Sequence, residues 1–89
     1  MEGTDNKQMQ ETLTHELEKD LLDQYGPMLF GDLLRKALGY RSMDALRQSV
    51  CRGTVPVPLF TIKNRRGKFA LVKDIAVWLA QQRCQVADD

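Results

Sequence analysis

The sequence predicts a mainly helical fold with one small β-hairpin. Three observations carry that expectation. Apolar residues recur at helical spacing in four separate segments. The period changes at Val55, where prolines and then β-branched and aromatic residues take over. Glycines, in one case followed by proline, punctuate the ends of the first three helical segments.

The first helix is expected from about Asn6 to Gln24, with residues 1–7 frayed. Met9, Leu13, Leu17 and Leu21 recur every four residues, and Glu11, Glu18 and Lys19 occupy the opposite side. Gly26-Pro27 stops the helix. Its apolar stripe needs a cover, which is either its own domain or a dimer seam. A second helix is expected from about Phe30 to Leu38. It turns Phe30, Leu33, Leu34, Ala37 and Leu38 to one side and Arg35 and Lys36 outward. A third follows from Met43 to Arg52. Ser42 suits its N-cap, because the hydroxyl can accept from a free N–H of the first turn, and Asp44 complements the helix dipole there.

Residues 54–58 (Thr-Val-Pro-Val-Pro) must be extended, since proline restricts itself and the residue before it. Leu59 to Ile62 and Phe69 to Val72 read as the two strands of a hairpin. A last helix is expected from Asp74 to Gln82, with Ile75, Val77, Trp78 and Leu79 as apolar positions. Trp78 belongs to the core, Tyr40 packs under the turn before it, and Tyr25 and Met28 help cap the core.

The composition excludes several functions. The chain has 89 residues, one histidine (His15) and two cysteines (Cys51 and Cys84). These cannot form a zinc ligand set with the usual spacing, so no metal, no cofactor and no catalysis are expected. Lone cysteines in a chain with a polar N-terminus, without a secretory signal, lead us to expect reduced cytoplasmic thiols. No apolar run is long enough to span a membrane.

The net charge of +1 conceals a partition. Residues 1–24 carry −5, residues 25–84 carry +8, and Asp88 and Asp89 add −2. A basic domain between acidic ends points to a polyanion, most simply nucleic acid.

The order helix, tight turn, helix, hairpin, helix suggests where that polyanion sits. Gly39-Tyr40-Arg41 has the length a helix-turn-helix needs. With Met43, Leu46 and Val50 facing inward, Asp44, Ala45, Gln48 and Arg52 point out, Arg47 lies on the flank, and Arg41 and Ser42 stand at the entrance. Arginine can read guanine, glutamine adenine, and alanine the thymine methyl. The hairpin tip gathers Lys63, Asn64, Arg65, Arg66 and Lys68, a wing suited to gripping phosphate.

Several motifs then carry a family resemblance. They are Leu38-Gly39-Tyr40, Ser42, Leu46, Arg47 and Val50, the run Arg52-Gly53-Thr54-Val55-Pro56-Val57-Pro58, Gly67-Lys68-Phe69, and Lys73-Asp74-Ile75-Ala76-Val77-Trp78-Leu79. Together, residues 29–82 resemble the excisionase and AlpA-like winged helix-turn-helix domains, related in fold to the MerR DNA-binding domain. The Leu21-Leu22-Asp23-Gln24-Tyr25-Gly26 lead-in is similar to pyocin-activator-like phage regulators.

The resemblance implies sequence-specific binding of double-stranded DNA in a bacterial phage, plasmid or integrative element. The member could regulate transcription or, alternatively, bend DNA as a recombination directionality factor. A protein-interaction adaptor using the N-terminal helix is the alternative of another class. The expected division is an acidic extension at 1–26, a winged domain at 27–84 and a loose tail at 85–89. A homodimer, or an oligomer assembled on DNA, is expected, with Met9, Leu13, Leu17 and Leu21 as the candidate seam. No small-molecule ligand is expected.

Overall fold

The computed structural model describes residues 2–85, with side chains for residues 8–84. Among these residues there are four helices and one two-stranded antiparallel sheet. Helix α1 spans Glu2–Tyr25, strand β1 Met28–Phe30, helix α2 Gly31–Leu38 and helix α3 Met43–Arg52. Strand β2 covers Phe69–Leu71 and runs directly into helix α4, Val72–Gln85. The helix expected from Asn6 thus begins at Glu2, and Met1 and residues 86–89 lie outside the described residues.

The sheet differs from the expected hairpin. Strand β2 pairs with β1, in the register Met28↔Leu71, Leu29↔Ala70 and Phe30↔Phe69. The segment expected as the strand Leu59–Ile62 contributes one bridge, Phe60↔Phe69, closed by reciprocal bonds of 2.9 Å. Pro56 and Pro58 lack the N–H groups that would extend the ladder. Val72 is already helical, and its N–H donates to the Pro27 carbonyl at 2.9 Å. Phe30, expected inside the second helix, is instead its extended N-cap and lies exposed. Leu33 is also exposed, whereas Leu34 and Leu38 are buried. Eight residues of helix make room for only that narrow inner face.

Leu29 and Ala70 point from the sheet into a core shared with Leu34, Leu38, Leu46, Val57, Val72 and Ile75. Trp78 and Tyr40 pack against that core, as expected. Met28 is half-buried in β1, but Tyr25 is exposed and caps little. No charged or polar side chain is buried among the described residues.

Helices α1 and α4 form the most extensive pairing between elements. The C-terminal end of α1 meets the start of α4 through the Pro27–Val72 bond, so the two helices run antiparallel. At 1.5 Å per residue α1 outreaches α4 by about 15 Å. This overhang agrees with the longest dimension of the molecule, 48 Å. Leu13, Leu17 and Leu21 are half-buried on the face of α1 turned to α4, and Leu21 reaches the core. Met9, near the overhang, is 64% exposed.

The α1 stripe and the core give a direct contrast in stability. Ile75→Ala should cost about 2–5 kcal/mol, because a closed core keeps the cavity. Met9→Ala should stay within about 0.5 kcal/mol. Urea unfolding compares the two, and equal losses would contradict this account of packing.

Candidate nucleic-acid interface

Helices α2 and α3 are joined by a turn that three interactions fix. Gly39 takes a left-handed conformation, φ 82°. Its N–H donates to the Lys36 carbonyl at 3.1 Å, and the Tyr40 N–H donates to the Arg35 carbonyl at 3.1 Å. This pair of bonds is a Schellman cap, and a Cβ at Gly39 would strain it. The Arg35 side chain then crosses the same turn. Its Nε donates to Asp32 Oδ1 at 2.7 Å and an Nη to the Tyr40 carbonyl at 3.0 Å.

The sequence places Arg35 outward as a solvated cation, whereas its side chain is only 19% exposed. Its spacing from Asp32 was a usable signal, since i and i+3 share a helix face. Its reach to the Tyr40 carbonyl was not, because that depends on the closed turn. Lys36 also approaches Asp32, at 3.4 Å.

Helix α3 leaves that turn with Ser42 as N-cap, its hydroxyl accepting from the Ala45 N–H at 3.1 Å. Leu46 is buried, and Met43 and Val50 are half-buried. Arg41, Ser42, Asp44, Arg47, Gln48 and Arg52 are exposed. Ala45 is half-buried rather than outward. Arg47 donates to Asp44 at 3.1 Å, so its charge is partly answered within the helix. Cys51 is exposed on the same helix, and Cys84 is half-buried far along the chain. Among the described residues, no group of histidine, cysteine and carboxylates could hold a metal ion.

The second basic element is the loop between Phe60 and Phe69. Lys63, Asn64, Arg65, Arg66 and Lys68 are all exposed. The Arg65 N–H donates to the Ile62 carbonyl at 3.0 Å, closing a tight turn. Asn64 has φ 66° in that turn, a conformation asparagine tolerates better than most residues. The loop is therefore short, shaped and anchored at its base. Phe69 stacks on Phe60 at 6.0 Å and meets Phe30 at 5.2 Å. Lys68 also borders an open groove with Val50, Gly53, Val55, Val57 and Leu59, between the end of α3 and the extended segment.

The ion pairs among the described residues join Asp32 to Arg35 and Lys36, and Asp44 to Arg47. None involves α1 or the loop cations. Among the described residues, the acidic helix makes no ion pair with the basic loop. That leaves two exposed cationic elements, both anchored to one core, available to a polyanion.

No family model matches the chain, and neither does any curated protein or solved structure.

The Arg35 hydrogen bond above all, aided by its charge and by Lys36, holds the Asp32 carboxyl below its ordinary value of 3.8. The ionised carboxylate is thus favoured by the fold. Its stabilising contribution is complete above the ordinary carboxylate range and is lost as pH falls through the depressed folded value. A carboxyl NMR titration should show this depression, and Arg35→Met should move Asp32 back up. An Asp32 titration that ignores this substitution would remove Arg35 as the cause.

Proposed function

We propose that this chain binds double-stranded DNA through a winged helix-turn-helix and works as a regulator of transcription, without catalysis. The observation that carries the reading is the pairing of α3, which follows a capped tight turn, with an anchored loop bearing four exposed cations. In this reading α3 enters the major groove. Gln48 and Arg52 face base edges, Arg47 contributes after exchanging Asp44 for DNA, and Arg41 holds the phosphate beside the entrance. Lys63, Arg65, Arg66 and Lys68 grip the backbone from the loop. The acidic exposed side of α1 keeps that helix away from phosphate. The resemblance to excisionase and AlpA-like domains supports a phage, plasmid or integrative element as the setting.

Each part of the interface has its own signature. Binding to a preferred duplex, measured by fluorescence anisotropy across a salt series, tests the loop. Removing two phosphate contacts with Arg65→Ala and Arg66→Ala should reduce the slope of log affinity against log salt by about 2. An unchanged slope would turn the loop away from DNA.

The helix is tested by sequence preference. Gln48→Ala with Arg52→Ala should cost about 1–3 kcal/mol per lost base contact and relax discrimination at those base pairs. Unchanged affinity and unchanged preference would remove α3 as the reading element.

A further inference from the structure

Residues 33–73 hold ten lysines and arginines and one carboxylate, Asp44. That carboxylate lies on α3, the helix proposed above to read DNA, and its side chain is 82% exposed. Its partner among the described residues is Arg47, at 3.1 Å and 71% exposed. So exposed a pair adds little to stability. Ser42 already caps the helix, and a carboxylate in the first turn adds only a complement to the dipole. Against a polyanion, Asp44 weakens binding wherever it meets phosphate or a base acceptor. A lone anion on that face therefore acts as a selector, because only a hydrogen-bond donor in the groove offsets its repulsion.

The geometry narrows the choice of donor. Asp44 and Arg47 are the second and fifth residues of α3, and the N-terminal residues of a recognition helix are the ones that reach base edges. At i and i+3 they present an acceptor beside a forked donor. Across the major groove each base pair shows its own order of groups. A C·G pair shows the cytosine amino group and then two acceptors, guanine O6 and N7. In an A·T pair the amino group stands between single acceptors, and one of these is followed by the thymine methyl. A carboxylate beside a bidentate guanidinium thus matches C·G alone. The spacing agrees as well. Cytosine N4 donates to guanine O6 within the pair, so those groups lie about 2.9 Å apart, close to the separation of Asp44 and Arg47.

We propose, resting on the DNA reading above, that Asp44 and Arg47 together read one C·G base pair, Asp44 accepting from the cytosine amino group and Arg47 donating to guanine O6 and N7. On binding, the bond between the two side chains opens. Arg47 takes the guanine acceptors, and Asp44, left without a donor, takes the amino group beside them. At any other pair in that place at least one of these hydrogen bonds is lost.

Selection from a random duplex pool by the 89-residue protein yields its preferred site, and fluorescence anisotropy then compares variants of that site pair by pair. In the wild type, one C·G pair is expected whose replacement lowers affinity about tenfold. 7-Deazaguanine at that pair, which removes N7 alone, should also weaken binding, and Arg47→Ala should not sense it. Asp44→Asn, whose amide donates as well as accepts, should level the preference at that pair. It should also steepen the slope of log affinity against log salt by about 1, since Arg47 is then free for phosphate. Circular dichroism checks that both variants stay folded, and the 7-deazaguanine comparison in the wild type needs no variant. A preferred site with no such pair would overturn the proposal while leaving the DNA reading intact. So would an Asp44→Asn protein that keeps the preference, or an Arg47→Ala protein that still senses 7-deazaguanine. A chain that binds no duplex would overturn both.

Discussion

Phe69 is the residue on which the architecture turns. Its backbone closes the bridge to Phe60, and its position in β2 sets the register with Phe30. Its ring lies buried between the rings of those two residues. One side chain thereby ties the basic loop to the strand that precedes α2 and, through β2, to the helix that packs on α1. Aromatic pairs of this kind contribute about 0.5–1.5 kcal/mol beyond their buried area. The geometric consequence is larger than that figure. A loop with four like charges would spread in solution, and only an anchored base keeps it beside α3.

The helical part of this arrangement was legible in the sequence, for local reasons. Ser42 and Gly53 bracket α3 at the predicted residues, because a capping hydroxyl and a left-handed glycine act within one turn. Leu46, Met43 and Val50 turn inward as their spacing requires. The sheet was not legible in the same way. Met28-Leu29-Phe30 is too short to show alternation, and Phe30 reads as the start of a helix until its partner is known. Pairing β1 with β2 joins residues about forty positions apart, and no local pattern encodes that contact. The role of Arg35 was hidden for the same reason. An arginine on an exposed helix phase looks solvated until the chain turns back and presents the Tyr40 carbonyl.

Charge supplies the link from fold to function. The −5 and +8 segments lie on one chain. The described ion pairs are confined to α2 and α3, and all of them are local. Here α1 packs on α4, and its Glu11, Glu16, Asp20 and Asp23 are exposed. The cations of α3 and of the loop remain exposed, and among the described residues only Arg47 of these is paired, with Asp44.

On the function proposed above, α3 and the loop between Phe60 and Phe69 form one DNA-binding surface that excludes α1. Backbone amide NMR of the protein, titrated with a short duplex, addresses this residue by residue. Shifts should concentrate at residues 41–52 and 61–68, while the amides of α1 stay in place. Shifts centred on α1, or none at any residue at saturating duplex, would contradict it.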